Sequence, residues 1–327
     1  MAWSGSLTQS SALGSKITFT PDTSTEGAYS VSPFEAPRKG VYRFELAGSG
    51  GTNKSASGGE GGKTDGYLLL EKGQTVYVGA GGTCSAAFIA SQTGEKLSAI
   101  PASALFFVAG AGGAGGKSGF YESDKKGAVT AGGNGGGASG ADGTSGGKGG
   151  TQSAGGAGYG SQSDGTLPGS GAYGAGGTGG SDDSYPVGAC IGGRGGDGYY
   201  GGGGGSANAS TNSATGANNA YAYGGGGGCG YVKTGTLSVL SKTYTSTTSQ
   251  GGGAASNANG SVVVTYYDRA ELPIIFDGTQ LERLIFDGVE IDSLIFDGTR
   301  LFFERIKRRV ARWYMSMKPA SRLRIPI

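Results

Sequence analysis

The sequence predicts an all-β protein, in which an antiparallel sandwich or barrel carries an inserted bundle of glycine-rich rods. Two observations lead to this prediction. Short apolar runs bounded by Gly recur along both ends of the chain without a helical period of 3.6 residues. Gly accounts for 73 of the 327 residues, far above the average usage of about 7%. The chain has only 9 Pro, which excludes a collagen triple helix.

The candidate strands lie on both sides of the glycine-rich middle. In residues 41–47, Tyr42, Phe44 and Leu46 alternate with Arg43 and Glu45, the pattern of a half-buried strand. The other candidate strands are residues 17–20, 29–31, 67–70, 75–78, 105–109, 231–232, 237–240 and 261–267. Several short strands at such spacing favour a sandwich or barrel. One domain is therefore expected over residues 16–267, after an N-terminal segment 1–15 and with an insertion at about 110–230.

In the middle of the chain, Gly recurs at every third position. The series are 110, 113, 116, 119; 137, 140, 143, 146, 149; 171, 174, 177, 180; and 192, 195, 198, 201, 204. An extended left-handed helix with three residues per turn places each series on one edge, where Gly lets neighbouring backbones approach and hydrogen-bond. Packed rods are thus predicted, and a flexible linker is the alternative. A side chain is expected to destabilise Gly140, Gly143, Gly174, Gly195 or Gly198 more than residues 201–205.

A repeat of ten residues follows the predicted domain. The sequence Ile-Phe-Asp-Gly occurs at 275–278, 285–288 and 295–298, and Asp-Gly between alternating apolar residues predicts a tight hairpin. Residues 271–303 are therefore expected to form three short hairpins. Such hairpins bury little surface by themselves, so Ile275, Ile285 and Ile295 are candidates for docking on another protein.

The C-terminal residues 302–327 predict a basic amphipathic helix. Phe302, Ile306, Val310, Trp313 and Met317 recur at three- and four-residue spacing. Residues 305–324 hold eight basic and no acidic side chains, whereas the rest of the chain has 18 basic against 24 acidic. Docking in an acidic groove of an assembly is the preferred interpretation, and its candidate residues are Arg305, Arg308, Arg309, Arg312 and Trp313. The alternatives are that the helix binds an anionic membrane, that it binds nucleic acid, or that it is only solvated. No known module that recognises nucleic acid is present in the sequence.

Composition excludes several kinds of chemistry. The absence of His removes Ser-His-Asp and Cys-His nucleophiles and His metal sites. Three scattered cysteines do not make a disulfide framework or a zinc ribbon. Residues 111–118 fit a relaxed phosphate-loop pattern, but no helical period follows Lys117, and Asp-Gly pairs at 142, 164 and 197 are better explained as turns than as calcium ligands. No catalytic residue, metal or cofactor is therefore predicted, and the protein is not expected to be an enzyme.

Tyrosines interrupt the glycine-rich runs. A local composition rich in Tyr, Gly, Ser and Asn is typical of binding loops, where Tyr supplies rigid amphipathic contact area. The candidate receptor-binding residues are Tyr159, Tyr173, Tyr199, Tyr200, Tyr221 and Tyr223, and Tyr199, Tyr200, Tyr221 and Tyr223 are expected at the tips of the rods. The alternative is that these side chains fill gaps between rods.

The strand motifs resemble those of a known group of domains. The residues concerned are 34–37 (Phe-Glu-Ala-Pro) with 40–47, 66–79, 105–113, Tyr223 with 224–228, and 259–265. They are similar to glycine-rich jelly-roll domains of phage adhesins and virion proteins, and to the extracellular glycine-rich region of anaplastic-lymphoma-type receptor kinases. The resemblance implies a β-jelly-roll with inserted polyglycine-II helices over residues 16–267. The decamers resemble C-terminal segments of phage tail and minor structural proteins.

The N-terminus has no basic start with an apolar run, so no signal peptide is predicted, and no run is long enough to span a membrane. The receptor kinases of this group carry a secretory signal and paired cysteines, which favours the phage proteins as the nearer resemblance here.

The expected protein is made in the host cytoplasm, is exposed on the virion and is a tail fibre or adhesin. Its expected partners are other virion proteins, copies of itself (as a trimer, for example) and a host-surface glycan or protein. A head fibre or decoration protein, and more remotely a depolymerase, are the alternatives.

Overall fold

The computed structural model describes residues 2–21, 25–118, 126–160, 166–182, 189–211 and 218–270, and short strands within 274–301. The chain divides into two units, residues 1–270 and 271–327, and each is described by itself. The first unit is all-β with antiparallel sheets, as the sequence predicts. Its only helices among the described residues are two 3₁₀ turns, Leu97–Ala99 and Ala102–Ala104.

The strands of the first unit follow in chain order. They are β1 (Ala2–Ser4), β2 (Lys16–Thr20), β3 (Tyr29–Glu35), β4 (Gly40–Ala47), β5 (Gly62–Leu70), β6 (Thr75–Gly81), β7 (Ala87–Ala90), β8 (Leu105–Ala109), β9 (Lys126–Val129), β10 (Ser181–Asp182), β11 (Cys190–Ile191), β12 (Ala207–Thr211), β13 (Asn218–Ala222), β14 (Tyr231–Val232), β15 (Thr236–Val239), β16 (Lys242–Thr245), β17 (Thr247–Gly252) and β18 (Ser261–Asp268).

Two sheets form the sandwich. One has the order β1-β2-β18-β4-β5-β17 and the other β14-β8-β7-β6-β3, and all neighbouring strands within them are antiparallel. In β4 the even-numbered side chains are buried, as their alternation predicts. Phe44 lies 6.3 Å from Phe107 of the second sheet, centroid to centroid, in a core to which both sheets contribute. Trp3 of β1 packs against this core and donates from Nε1 to Ser32 Oγ of β3 at 2.9 Å, so the segment 1–15 begins inside the sheet rather than before it.

A second hydrophobic cluster covers the other face of the five-stranded sheet. Phe88, Leu105 and Val108 project from that face, and Leu97 and Ile100 of the 3₁₀ segment pack on them. This cluster separates the sandwich from part of the glycine-rich region. Burial on both faces explains why β7 reads as the short apolar run Ala-Phe-Ile-Ala rather than as an alternating strand.

The glycine-rich region forms a lattice of short segments, which we call rods. The rods are residues 48–53, 56–62, 110–117, 130–136, 140–143, 147–151, 154–159, 166–172, 175–181, 191–199, 200–206 and 222–230. They are joined side by side through backbone hydrogen bonds, although few of their residues belong to a strand. The loop between β4 and β5 also enters this lattice, which the predicted insertion at 110–230 did not include.

Rod 222–230 lies at the centre and has six neighbouring rods. Its N–H groups donate to rods 200–206, 110–117 and 140–143, and its carbonyl oxygens accept from rods 191–199, 147–151 and 130–136, at 2.8–3.0 Å. The contact with each neighbour returns after three residues: Tyr223, Gly226 and Cys229 donate to Ser206, Gly203 and Tyr200. Successive peptide groups therefore point at different neighbours, and backbone donors and acceptors inside the lattice are satisfied without a sheet.

Rod 200–206 also has six neighbours, and Gly is required there by the closeness of the backbones. A Cβ added at any of residues 201–205 or 224–228 would lie under 3.0 Å from backbone atoms of an adjacent rod. The expectation that residues 201–205 tolerate a side chain better than Gly140 or Gly195 is therefore wrong, since neighbouring carbonyls crowd all of them alike.

The rods are shorter than the glycine series suggested. The series 137–149 reverses at residues 144–146, where Gly146 donates its N–H to the Gly143 carbonyl at 2.9 Å. The series 192–204 is two antiparallel rods, because Gly202 and Gly205 bond back to Gly196 and Gly193. The period of three in Gly continues through both reversals, at residues 144–146 and 199–200, so the Gly spacing by itself does not reveal them.

The second unit contains three antiparallel strand pairs. They are β19 (Ile274–Phe276) with β20 (Thr279–Leu281), β21 (Leu284–Phe286) with β22 (Val289–Ile291), and β23 (Phe296–Asp297) with β24 (Arg300–Leu301). In the first two, Ile275 pairs with Gln280 and Ile285 with Glu290. Ile295, Arg305, Arg308, Arg309, Arg312 and Trp313, and the predicted helix, lie outside the described residues.

Candidate functional site

The lattice has two distinct ends. We call one of them the distal end. There the backbone N–H groups of Lys117, Thr130 and Tyr223 donate hydrogen bonds to the carbonyl oxygens of Ile191, Ala222 and Ser206, respectively. At the other, rods continue directly into β5, β8 and β14 of the sandwich. At the distal end the rods continue into two small sheets, one with the order β12-β13-β9 and the other formed by β10 and β11. The sandwich therefore lies at one end of the lattice, and these small sheets lie at the other.

Three of the predicted tyrosines meet at the distal end, and we call them the distal tyrosine cluster: Tyr159, Tyr221 and Tyr223. The Tyr159 ring stands edge-on to Tyr223 at 5.8 Å, and Tyr221 stacks parallel to Tyr223 at 6.5 Å. Tyr159 is 41% exposed, among the most open large side chains of the described residues. Burial, with the neighbouring hydroxyls of Tyr159 and Tyr221, raises the pKa of Tyr223.

A charged pair joins two neighbouring rods, 140–143 and 147–151. Lys148 Nζ is 2.7 Å from Asp142 Oδ2, and the Gly149 N–H donates to Asp142 Oδ1 at 2.9 Å. Partial desolvation opposes ionisation of Asp142, but the hydrogen bonds from Lys148 and Gly149 prevail and lower its pKa. The Lys148 backbone bonds to Ala157, two residues before Tyr159. The distal surface thus combines rigid aromatic rings with an exposed ammonium and carboxylate.

The other three predicted tyrosines do not join this surface. Tyr173, Tyr199 and Tyr200 form a junction tyrosine cluster with Tyr231, in which Tyr199 stacks on Tyr231 at 4.2 Å. Tyr173 donates its hydroxyl to the Ile100 carbonyl at 2.6 Å, and burial raises the pKa of Tyr173 to about 12. Tyr173, Tyr199 and Tyr231 pack on the hydrophobic cluster under the lattice. Tyr199 and Tyr200 do lie at the ends of their rods, as expected, but at the ends next to the sandwich. That position agrees with the alternative that these side chains fill gaps.

Sequence reasoning missed a buried ion pair in the lattice. Asp197, 2% exposed, receives hydrogen bonds from Arg194 Nη2 at 2.5 Å, Gly176 N–H at 2.7 Å and Tyr29 Oη at 2.7 Å. Burial, followed by the negative charge of Asp197, raises the pKa of Tyr29 well above its ordinary value. Burial opposes the charge of Arg194, but Asp197 prevails and raises its pKa. The pair ties rod 191–199 to β3, and an Arg three residues before an Asp-Gly was its only sequence signal.

The cysteines are buried thiols. Cys84, Cys190 and Cys229 are not in disulfide bonds, and burial raises the pKa of Cys84 and of Cys229 to about 11. Cys229 donates from Sγ to the Thr151 carbonyl at 3.0 Å. Protonated thiols in closed surroundings are poor nucleophiles, so these residues pack rather than react.

No group of three or more His, Cys, Asp or Glu side chains in the described part of the chain is arranged to hold a metal ion. No described helix is long and apolar enough to cross a membrane.

No protein-family model matches the sequence, and no curated protein is significantly similar to it. The candidate site is therefore assigned from the structure alone. It consists of the distal tyrosine cluster with the Asp142–Lys148 ion pair nearby, at the end of the lattice away from the sandwich.

Proposed function

We propose that this protein is a bacteriophage virion surface protein, a tail-fibre or adhesin component that binds a host-surface receptor through the distal tyrosine cluster. The observation that carries the proposal is the position of that cluster at the end of the lattice away from the sandwich. Tyr159 offers an open ring held by a second ring, and such rigid aromatic groups bind at low cost in conformational entropy.

The lattice suits this role as a spacer. We infer that its rods are polyglycine-II helices and that the sandwich is a jelly-roll, as the resemblance implies. The three-residue return of the hydrogen bonds supports the first inference, since that helix has three residues per turn. A rod of nine residues, such as 222–230, would then hold its aromatic end roughly 25 Å from the sandwich, at about 3.1 Å per residue.

In this proposal, the second unit docks the protein on the virion. Ile occupies the equivalent positions 275, 285 and 295 of the repeat, and residues 305–324 carry eight basic and no acidic side chains. An acidic assembly surface would attract that segment and speed the encounter, and burial of Trp313 would hold the complex.

Adsorption of virions to host cells tests the receptor proposal. Tyr159→Ala combined with Tyr221→Ala should reduce adsorption at least about tenfold, a loss of about 1.4 kcal/mol, while particles assemble with normal amounts of the protein. Tyr200→Ala is the matched control, because it removes a half-buried ring from the junction tyrosine cluster instead.

A second candidate is a structural fibre without a receptor of its own. Most side chains of the lattice are small and uncharged, which suits a fibre without a receptor as well as it suits an adhesin. The adsorption experiment distinguishes the two functions. Unchanged adsorption in the double variant, with a folded and incorporated protein, would reject the adhesin and support the structural fibre.

A further inference from the structure

The outer face of the six-stranded sheet carries a cluster of charged and aromatic side chains. Phe44 and Leu46 of β4 lie in the core, so Arg43 and Glu45 lie on the opposite face of the sheet. Their neighbours there include tyrosines from β5, β18 and the β15–β16 hairpin. We call the whole set the sheet-face cluster: Arg43, Glu45, Lys63, Asp65, Tyr67, Tyr244 and Tyr267.

The charged half of this cluster is centred on Arg43. Its Nη2 atom lies 3.0 Å from Asp65 Oδ1 and 3.2 Å from Glu45 Oε1. Lys63 Nζ lies 3.4 Å from the other oxygen of the Asp65 carboxylate. The ion pairs fix the orientation of these groups, yet all four side chains are partly exposed. Their oxygens and N–H groups therefore remain open to a ligand.

The aromatic half consists of three tyrosine rings. Centroid to centroid, the Tyr67 ring lies 5.5 Å from Tyr244 and 5.1 Å from Tyr267, and Tyr244 lies 6.0 Å from Tyr267. Tyr244 is buried, whereas Tyr267 is 42% exposed. A ring already held by its neighbours loses little conformational entropy when a ligand covers it, so Tyr267 is a preorganised contact.

A β-bulge sets the position of Tyr267. Tyr266 pairs with Tyr42 and Asp268 pairs with Val41, so Tyr267 is an extra residue in β18. Both Tyr267 and Asp268 consequently contact Tyr244 of the hairpin, the first through its ring and the second through a hydrogen bond of 2.9 Å. Bulges commonly redirect side chains beside binding and active sites.

The two halves meet where β4 pairs with β5. Arg43 is directly opposite Tyr67 in that pairing, and Glu45 is opposite Asp65. Directly opposite side chains have Cβ atoms about 5 Å apart. A molecule that covers the exposed Tyr267 ring, which contacts Tyr67, can therefore also bond to the guanidinium and the carboxylates.

Basic residues exceed acidic ones at the end of the sheet next to Tyr267. Lys242 pairs with Asp268, and Lys39 pairs with Glu71 at 3.1 Å. The basic residues of this end are Arg38, Lys39, Lys72, Lys242 and Arg269, against the acidic Glu35, Glu71 and Asp268. This end therefore attracts negative charge.

These features together indicate the class of ligand. Tyr267 offers one open ring, which is little apolar area for a second protein. Aromatic rings with basic neighbours also suit single-stranded nucleic acid, but the carboxylates of Glu45 and Asp65 would repel its phosphates. Sugar hydroxyls can donate to those carboxylates and accept from Arg43, while acidic groups of the same chain face the basic end. We propose that the sheet-face cluster binds an acidic saccharide.

Binding of the full chain to bacterial surface oligosaccharides tests the proposal. Each oligosaccharide is measured as isolated and after its carboxylates are reduced or its phosphates removed. At least one acidic form should bind with a Kd below about 1 mM and its neutral form at least about tenfold more weakly. Tyr267→Ala should weaken binding at least about tenfold, and Tyr267→Phe, which keeps the ring, should retain most of it.

The matched control is Tyr159→Ala, which removes an equally open ring (41% exposed) from the distal tyrosine cluster and should leave saccharide binding unchanged. It also separates this site from the proposed receptor site, whose loss would affect adsorption instead. Hydroxyl-radical footprinting of the parent protein should show Tyr267, and not Tyr159, protected by the saccharide. That measurement does not depend on the folding of a variant.

Several results would overturn the proposal. The parent could bind none of the oligosaccharides below about 1 mM, or bind neutral and acidic forms equally. Tyr267→Ala could bind as tightly as the parent, or Tyr159→Ala could lose binding to the same extent. Tighter binding of a thymidine oligonucleotide, lost in Tyr267→Ala, would assign the sheet-face cluster to nucleic acid.

Discussion

Arg194 and Asp197 stand three residues apart on one rod and form an ion pair inside the lattice, with Nη2 2.5 Å from Oδ1. Because bonds to a given neighbour recur every third residue along the rods, side chains three residues apart lie on the same side of the rod. Asp197 faces β3 and rod 175–181 at once, through Tyr29 and Gly176. The pair therefore joins the sandwich to the lattice beside the second hydrophobic cluster, on which Tyr29 packs.

Replacing Asp197 by Asn should destabilise the protein by about 3–5 kcal/mol, because it leaves the Arg194 charge buried without a counter-charge. Chemical denaturation followed by circular dichroism measures the loss. Asp142→Asn is the control: its pair with Lys148 is more than half exposed on both sides, and its removal should cost at most about 1 kcal/mol. Equal losses in the two variants would contradict a special role for the buried pair.

A methyl group at the centre of the lattice should be poorly tolerated. Gly226→Ala would press a Cβ against the backbone of Lys148, and overpacking against rigid backbone should cost at least about 3 kcal/mol. Gly235→Ala meets nothing within 4 Å and should stay within about 0.5 kcal/mol of the parent. The thermal midpoints of the two variants give the comparison, and a parent-like Gly226→Ala would disprove the close packing.

Amide hydrogen exchange should reveal the lattice directly. The N–H groups of Gly225 to Gly228 all donate to carbonyl oxygens of neighbouring rods, so they open only when several rods separate. Their protection should approach that of β4 and β18, although the sequence there resembles a flexible linker. Exchange at the rate of an unstructured peptide would show that the rods do not pack in solution.

Stability should decline in alkali through the buried thiols. Cys229 ionises near pH 9.0 when unfolded, and burial raises its pKa to about 11 in the folded protein. The unfolded chain therefore loses this proton first, and the free energy of unfolding falls as pH rises between those values. The slope should be about 1.4 kcal/mol per pH unit for each such thiol. Cys229→Ala should flatten the slope between pH 9 and 11, and an unchanged slope would exclude this thiol as the cause.

Much of the sandwich could be predicted from alternating side chains. The strand at 105–109 has the predicted bounds, and the one predicted at 41–47 is only one residue longer. Both have enough buried apolar side chains to be recognised from the sequence alone. β17 was not predicted, since its Thr-Thr-Ser-Gln-Gly-Gly is an edge strand with little apolar content. β1 was not predicted either, because its pairing depends on distant residues of β2.

The sequence predicts that the lattice consists of packed rods, but it does not predict where each rod ends or which rods are neighbours. A period of three indicates rods, yet the same Gly spacing continues through the turn at 144–146. Asp142-Gly143 predicts a turn there, but it does not show that the segments on either side are two rods that pack together. The separation of Tyr199 from Tyr223 follows from those reversals: Tyr199 bonds through its backbone to Cys229, six residues further along the central rod than Tyr223. Tyrosines that look equivalent in sequence therefore lie at opposite ends of it.

The interior of the lattice is made of peptide groups rather than side chains, and this affects its response to temperature. Exposure of apolar surface raises the heat capacity on unfolding, whereas exposure of polar surface lowers it. Melting the rods therefore adds little to the net heat capacity change that the sandwich contributes. The stability curve of the whole unit should be broad and shallow, so that its free energy of unfolding changes slowly from cold to warm surroundings.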